Sequence, residues 1–329
     1  MNDKKTALVT GASGFTGGYM VDHLLEHGYS VRAFVRPTSN IDDLKKKNVD
    51  IVMGFLESPE SVYKAAEGVD IIYHIAALYR EANRPDWAYY EVNVKGTENI
   101  LKAALKNNAK VLHCSTAGVH GHVEHPPGHE NSPFNPGDIY QQTKLKGEQT
   151  ALAFHKETGL PVTIVRPIGI YGPGDTRMLK MYKLVKNRKF IMFGSGRVYY
   201  HLTFVTDVVE GFRLAAESEK SNGEIYIIGG REYTTLSEFA ATIAEVLSVP
   251  RPKLRLPVWP LYGVGWMCEK VCIPLRIQPP IFRRRVDIFV KDRAFDISKA
   301  QTELGFNPHI SMKEGIRRTA EWYRQKDLL

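Results

Sequence analysis

Short apolar runs alternate with longer amphipathic stretches through the first half of the chain. Runs of this kind, bounded by polar residues and glycines, are typical of buried strands. We predict strands at Ala7–Val9, Ser30–Val35, Val49–Met53, Asp70–His74, Lys110–Cys114 and Pro161–Arg166. The stretches between them predict helices at Gly18–His27 and near Ile41–Lys47, Glu60–Glu67, Asp86–Asn107 and Tyr140–Glu157. Strands separated by helices predict right-handed βαβ units and a parallel sheet.

The alternation becomes less regular after about Asp175. Helices are predicted near Arg177–Asn187, from Asp207, near Leu236–Leu247 and near Met312–Arg324, with apolar runs at Phe190–Phe193 and Val198–Val205. This change of pattern indicates a second, smaller unit that follows the parallel sheet.

The composition narrows the class of protein. The 329 residues can bury a large core, and 44 Lys and Arg against 36 Asp and Glu give a net charge of +8. The basic residues are scattered apart from Arg283–Arg285, and no nucleic-acid-binding motif accompanies them, so we expect no nucleic-acid partner. Met1–Thr6 does not resemble a signal peptide, and no apolar run is long enough to span a bilayer. Three cysteines, an odd number, are typical of a reducing compartment, so we expect a cytoplasmic protein.

The stretch Thr10–Gly17, TGASGFTG, lies between the first strand and its helix. Gly11 permits a tight turn, Gly14 lets the backbone approach a pyrophosphate, and Gly17 lets the helix pack closely on the strand. The helix N-terminus would offer free N–H groups to the phosphates. A dinucleotide site is therefore predicted here, and a glycine-rich turn without a ligand is the alternative. The remaining candidates from this turn are Ser13, Phe15 and Thr16.

The end of the second strand bears on which dinucleotide binds. An acid there would bind the adenosine ribose hydroxyls and favour NAD, but the strand ends in Val35 and Arg36. Arg36 could meet a 2′-phosphate, so we expect NADP and keep NAD as the alternative. Ala76 and Ala77, which follow the fourth strand, would let a cofactor lie close to the backbone.

The longest predicted helix contains Gly96, which is costly in a helix unless a neighbour packs against it. Asn93, three residues earlier, could then fasten neighbouring strands or a water. We include Asn93 among the cofactor-site candidates, together with Leu56 from the segment after the third strand.

Tyr140 and Lys144 are four residues apart and would share one face of a helix. A tyrosine has an ordinary pKa of about 10, and a nearby ammonium would lower that pKa and suit the tyrosine to proton transfer. Ser115 and Thr116 end the fifth strand, where a hydroxyl could hold the same substrate oxygen. The alternative for this tyrosine and lysine is an exposed helix face.

Taken together, these motifs resemble those of extended short-chain dehydrogenase/reductases of the NAD-dependent epimerase/dehydratase family. The matching segments are TGASGFTG, HIAAL, EVNVKGTENIL, HCSTAGVHG, YQQTK, RPIGIYGPGD, TFVTDVVEGFRLAAE and FDISKAQTELGF. The resemblance implies an α/β fold with a Rossmann-type doubly wound parallel sheet. We expect this dinucleotide-binding domain at residues 1–175, with a strand and helix returning near 198–228, and a smaller α/β substrate-binding domain mainly at 176–329.

The resemblance also implies roles for individual residues. Tyr140 would be the general acid/base, and Lys144 would support it and contact the nicotinamide ribose. Thr116 would hold the reacting oxygen, while Ser115 is kept as a cofactor-site candidate. The nicotinamide carboxamide would face Pro167, Ile168 and Gly169. The two long helices, Asp86–Asn107 and Tyr140–Glu157, resemble the pair through which family members form homodimers.

The segments are most similar to the 3β-hydroxysteroid dehydrogenase and dihydroflavonol reductase branch. We therefore expect an NAD(P)-dependent oxidoreductase that interconverts a secondary alcohol and a ketone on a mostly apolar, sterol-like small molecule. A nucleotide-sugar 4-epimerase or dehydratase with tightly bound NAD is the second hypothesis, and a non-catalytic dinucleotide-binding sensor is the third. The places where nucleotide-sugar enzymes carry Gln and Arg hold Val198 and Tyr200, although Arg197 or Arg283–Arg285 could compensate.

Two further stretches leave alternatives open. His120, His122, His125 and His129 could suggest a metal, but their proline-rich loop favours a substrate-edge segment without one. The stretch Leu256–Arg285 is apolar but broken by prolines, so it is interpreted as a lid, a core helix with loops, or a membrane-surface contact.

Overall fold

The computed structural model describes residues 4–80, 84–272, 275, 277 and 286–329. The strands, in chain order, are β1 Thr6–Thr10, β2 Ser30–Val35, β3 Asp50–Met53, β4 Ile71–His74, β5 Lys110–Cys114, β6 Val162–Pro167, β7 Gly169–Tyr171, β8 Met192–Phe193, β9 Tyr199–Phe204, β10 Ile225–Ile228, β11 Tyr233–Thr235 and β12 Arg255–Leu256. The α-helices are α1 Phe15–Glu26, α2 Asp42–Lys45, α3 Pro59–Ala66, α4 Asp86–Tyr90, α5 Gly96–Asn107, α6 Ile139–Thr158, α7 Leu179–Lys186, α8 Val205–Glu217, α9 Leu236–Val246, α10 Trp259–Cys272, α11 Ser298–Leu304 and α12 Met312–Gln325.

The central sheet has seven parallel strands in the order β3-β2-β1-β4-β5-β6-β10. From β1 the chain winds one way through β2 and β3 and the other way from β4 onward, so the winding reverses between β1 and β4. All six predicted strands lie in this sheet. The predicted α/β fold with a Rossmann-type, doubly wound parallel sheet is confirmed.

Helices cover both faces of this sheet, which explains the continuous apolar runs in the sequence. Every residue of β4 and of β6 is buried, as expected for central parallel strands. Side chains from α1 and α8 pack on one face, and side chains from α3, α5 and α6 pack on the other.

A three-stranded sheet, β11-β9-β7, begins the smaller unit and packs with α7, α9 and α12 around a separate core. Within the segment expected to return near 198–228, α8 and β10 join the central sheet's unit, whereas β9 belongs to the smaller sheet. Because β7 precedes residue 175 and also belongs to the smaller sheet, the chain passes between the two units more than once.

The predicted helix Asp86–Asn107 consists of α4, a π-helical turn at Glu91–Lys95, and α5. A side-chain carbon on Gly96 would lie 2.8 Å from Leu56 Cβ, so Leu56 packs where a larger residue could not fit. The π turn carries Asn93, whose Oδ1 accepts from the Leu78 amide at 2.7 Å and whose Nδ2 donates to Thr143 Oγ1 at 3.0 Å. Asn93 therefore ties the loop after β4 to α6.

Helix α10 continues despite Pro260, because proline is tolerated in the first turn of a helix. Gly265 is the one buried residue in α10, while Trp259 and Met267 are 73% and 62% exposed. The core-helix interpretation is therefore wrong for this helix, whereas the lid and membrane-surface interpretations stay predictions. Arg283–Arg285 lie outside the described residues. Among the helices that can be described, none is long and apolar enough to cross a membrane.

Candidate active site

The glycine turn between β1 and α1 leaves no room for side chains. Gly11 has φ +71°, and a side-chain carbon on it would lie 3.0 Å from Ala76 Cα. A side-chain carbon on Gly17 would overlap the carbonyl oxygen of Gly11. The bare backbone at the N-terminus of α1 therefore suits the pyrophosphate of a dinucleotide.

A cavity of about 1270 Å³ runs from this turn across the carboxyl ends of the strands. It lies where the winding of the sheet reverses, the usual ligand site of such sheets. The predicted site residues that line it are Gly11, Ser13, Gly14, Phe15, Thr16, Gly17, Arg36, Leu56, Ala76, Ala77, Ser115, Thr116, Tyr140, Pro167, Ile168 and Gly169. Two predicted residues, Asn93 and Lys144, are buried behind the cavity wall rather than in its lining.

The two arginines of the β2 region have different surroundings. Arg32 Nε donates to Asp50 Oδ2 at 2.6 Å on the neighbouring strand, which is a structural surface contact. Arg36 is exposed and lines the cavity next to Thr38 and Ser39. Arg36 is therefore placed to meet a ligand, whereas Arg32 is not.

The two hydroxyl residues after β5 differ in their hydrogen bonds. Thr116 Oγ1 accepts from the Gly118 amide at 3.0 Å and caps the 3₁₀ turn Ala117–His120. A hydroxyl that accepts this bond still has its own proton to donate into the cavity. Ser115 Oγ is buried without a partner among the described residues. Both side chains thus have hydrogen-bonding capacity left for a ligand.

Tyr140 lies in the first turn of α6 beneath an aromatic and a cationic neighbour. The Tyr79 ring meets the Tyr140 ring edge to face at 4.9 Å between centroids. Arg80 Cζ lies 5.5 Å from the centroids of both rings, and Arg80 Nε donates to Asp138 Oδ2 at 2.9 Å. Asp138 also caps α6 through the Gln141 amide.

These surroundings change the expected acidity of Tyr140. Burial raises the pKa of Tyr140 above its ordinary value of about 10, because the phenolate is poorly solvated, and Arg80 acts in the opposite direction. The sequence-based expectation of a lowered pKa does not hold for this arrangement. Burial also lowers the pKa of Lys144, because its ammonium is poorly solvated inside the protein, while Cys114 and Glu148 act in the opposite direction.

Sequence reasoning missed several residues of the cavity lining, among them Tyr79, Arg80, Arg177, Tyr200 and Arg293. A signal was present for the first two, because they directly follow the HIAAL segment at a ligand-binding strand end. Tyr200 was noted only as a departure from the nucleotide-sugar pattern. Arg197, named as a possible compensation for a lost diphosphate partner, does not line the cavity.

The clustered histidines support the loop after β5 rather than meeting one another. His120 Nδ1 lies 3.2 Å from the Pro133 carbonyl oxygen and its Nε2 lies 3.0 Å from the guanidinium of Arg166, which also binds Glu148. His122 Nδ1 accepts from the Asp292 amide at 3.0 Å. In the part of the chain that can be described, no potential metal-binding group includes these histidines.

Comparison with known proteins identifies the family. The model of the NAD dependent epimerase/dehydratase family matches residues 7–229. Sterol demethylase protein B of Methylococcus capsulatus is 30% identical over 98% of this chain and 100% of its own length. The sterol-4-alpha-carboxylate 3-dehydrogenase, decarboxylating, of Homo sapiens is 28% identical over 98% of this chain and 89% of its own length. The crystal structure of gox2253 is 29% identical, with a TM-score of 0.83 over 99% of this chain and 100% of that one.

These matches confirm the resemblance drawn from the motifs, including the sterol-dehydrogenase branch. The family match covers the whole central sheet and continues to the end of β10. The chain belongs to the NAD-dependent epimerase/dehydratase family and is an enzyme of the extended short-chain dehydrogenase/reductase type.

Proposed function

We propose that this enzyme interconverts a secondary alcohol and a ketone, with NADP as its preferred dinucleotide. The observation that carries the proposal is the single cavity that joins the glycine turn to Tyr140, Thr116 and Ser115. A nicotinamide dinucleotide held at the turn would supply or accept the hydride.

The chain's own residues would bind and orient that dinucleotide. The bare backbone at Gly11, Gly14 and Gly17 would hold the pyrophosphate at the N-terminus of α1. Arg36, beside Thr38 and Ser39, would hold a 2′-phosphate. At the other end of the dinucleotide, the nicotinamide carboxamide would contact Pro167, Ile168 and Gly169.

Tyr140 would exchange the proton. During reduction, its hydroxyl would donate the proton to the carbonyl oxygen as the hydride reaches the carbon, while Thr116 donates a hydrogen bond to the same oxygen. Burial keeps Tyr140 protonated near neutral pH, which suits the direction from ketone to alcohol. Lys144, one turn further along α6 and buried behind the cavity wall, would support Tyr140 in this step.

The substrate we propose has a mostly apolar, sterol-like body. The cavity lining includes the aromatic and aliphatic side chains of Tyr79, Trp87, Met178, Leu202 and Phe295, which would pack against such a body. The names of the bacterial and human relatives refer to sterols, which supports this class.

Native mass spectrometry followed by a turnover assay tests the proposal. We expect exchangeable binding of NADPH, and NADPH consumption with steroid and other cyclic ketones. Tyr140→Phe should retain NADPH binding but lose about 10²–10⁴-fold in rate, the usual contribution of a positioned acid. Stoichiometric, non-exchanging NAD without net NADPH consumption would instead support a nucleotide-sugar epimerase or dehydratase. Unchanged biological output in Tyr140→Phe would support a non-catalytic sensor.

A further inference from the structure

Two histidines and a glutamate meet where the end of α1 packs beside α8, away from the cavity. His23 and His27 are four residues apart at the C-terminal end of α1, and their ring centroids lie 4.2 Å apart. Glu210 of α8 reaches the same place, since its Oε2 lies 2.9 Å from His23 Nε2. One potential ligand atom from each residue lies within 4.8 Å of those of the other two. None of the three lines the cavity, so the active site does not account for this cluster.

The atoms and their spacing suit a divalent transition metal. Zn²⁺ binds imidazole nitrogens and carboxylate oxygens at about 2.0–2.2 Å, which places neighbouring ligand atoms about 3–3.5 Å apart in a tetrahedral site. The distance of 2.9 Å between His23 Nε2 and Glu210 Oε2 is slightly shorter than this, so a small separation of the two atoms would admit an ion between them. Two histidines at positions i and i+4 of a helix are a usual pair of zinc ligands.

The hydrogen bonds of the two rings fit this use. His27 Nδ1 lies 2.8 Å from the His23 carbonyl oxygen and can donate its proton there, which leaves the lone pair of the neutral ring on Nε2. Histidines that bind metals usually donate their other nitrogen's proton to a carbonyl or a carboxylate in this way. Burial lowers the pKa of His23, although Glu210 acts in the opposite direction, so the His23 ring stays neutral near pH 7 and can accept a metal.

Arg213 already binds Glu210, and its position is compatible with an ion. Its Nε donates to Glu210 Oε2 at 3.0 Å and its Nη2 donates to Oε1 at 2.8 Å, while its Nη1 donates to Glu217. Since a carboxylate oxygen has two lone pairs, Oε2 can bind an ion in place of the His23 proton and keep the arginine. The guanidinium then orients the carboxylate, as outer hydrogen-bond donors do at metal sites. The partial negative charge at the C-terminus of α1 also favours a cation here.

We propose that His23, His27 and Glu210 form a binding site for Zn²⁺ that holds α1 against α8. Three protein ligands leave a fourth position for water. Because the three residues lie outside the cavity, the ion would stabilise the packing of these helices on the central sheet and would take no part in hydride transfer. The proposal does not depend on the proposed reaction.

Titration of the metal-free protein with ZnCl₂ tests this site. The full chain is freed of metal with EDTA, dialysed and titrated by isothermal titration calorimetry, with and without saturating NADPH. We expect one Zn²⁺ per chain with a Kd of about 1–10 µM, weaker than at structural zinc sites with four protein ligands. At about 100 µM Zn²⁺ the midpoint of thermal unfolding should rise by roughly 2–4 °C.

Matched variants make the result specific. His27→Gln changes an exposed residue, so it should leave the fold intact, weaken Zn²⁺ binding by at least about tenfold and remove the rise in the unfolding midpoint. Glu210→Gln keeps the shape of the carboxylate without its charge and should weaken Zn²⁺ binding to a similar extent. The control is His125→Gln, which changes an exposed histidine of the loop after β5 and should bind Zn²⁺ as the wild-type protein does.

An unchanged Kd for Zn²⁺ in His27→Gln, or a wild-type Kd above about 100 µM, would overturn the proposal. Loss of zinc binding in His125→Gln would also overturn it, because the ion would then belong to the histidines of that loop. If NADPH prevented zinc binding, the ion would lie in the cavity and the assigned site would be wrong. Because none of these measurements involves turnover, their failure would leave the proposed function untouched.

Discussion

Replacing Gly17 by alanine should weaken dinucleotide binding more than any other single-methyl change in α1. The added methyl would overlap the Gly11 carbonyl oxygen and lie 2.7 Å from the Gly11 carbonyl carbon and 3.0 Å from Ala12 Cα. All three atoms are backbone, so no side-chain rotation can relieve the contact. The N-terminus of α1 must therefore move away from the turn.

The magnitude follows from the hydrogen bonds at this terminus. Losing one backbone N–H bond to a charged pyrophosphate costs about 1.5–3 kcal/mol, or roughly 10- to 150-fold in Kd. Overpacking at a buried position should also lower the free energy of unfolding by about 1–3 kcal/mol. We expect both effects in Gly17→Ala, measured by NADPH fluorescence titration and by denaturant unfolding.

Gly18→Ala is the matched control, one residue further along the same helix. A side-chain carbon there would lie 3.7 Å from the Ala12 carbonyl oxygen, an ordinary contact. Alanine in place of glycine within a helix stabilises by about 0.5–1 kcal/mol, and binding should not change. If Gly17→Ala binds NADPH within twofold of Gly18→Ala and unfolds at the same denaturant concentration, the assigned role of this turn is wrong.

Three further predictions concern specificity, protonation and assembly. Arg36→Asp should shift the ratio of kcat/KM for NADP and NAD toward NAD by about tenfold or more, and an unchanged ratio would remove the case for NADP. Because burial raises the pKa of Tyr140, the rate of alcohol oxidation should still be rising with pH at pH 9. Since Arg80 lowers this pKa, Arg80→Met should move the rise to higher pH. A plateau near pH 7 in the pH–rate profile would contradict this expectation. Helices α4 to α6 should form a homodimer interface, so a monomeric mass in solution scattering would count against that assembly.

The central sheet could be predicted because its signals are local. Each central strand is buried on both faces, so it appears in the sequence as a continuous apolar run. The glycine turn and the Tyr140–Lys144 spacing lie within single elements. In the smaller sheet, β9 lies within the apolar run at Val198–Val205, but β7 has only three residues and depends on its pairing with β9, so its sequence gave no such signal.

The chemistry of the site depended on contacts between distant segments. Spacing along α6 correctly indicated that Lys144 follows Tyr140 by one turn, but it could not show that Tyr79 and Arg80 pack over the phenol ring. Burial raises the pKa of Tyr140 most, and these neighbours, with Cys114, act on it as well. Likewise, Arg293 reaches Tyr200 only through a bridge between segments more than ninety residues apart, so neither residue could be recognised as part of a pair.

The connection between the two units suggests how one reaction could serve different substrates within this fold. Gly169 is the last of the three residues proposed to face the nicotinamide, begins β7, and pairs with Leu202 of β9. A side-chain carbon at Gly169 would lie 2.8 Å from Leu202 Cδ2, so a larger residue here would displace the Leu202 side chain. Since Tyr200 lies two residues before Leu202, the same register positions Tyr200, and through its bridge Arg293, relative to the reacting centre. Substitutions at these two positions could therefore change the substrate while the glycine turn and Tyr140 stay in place.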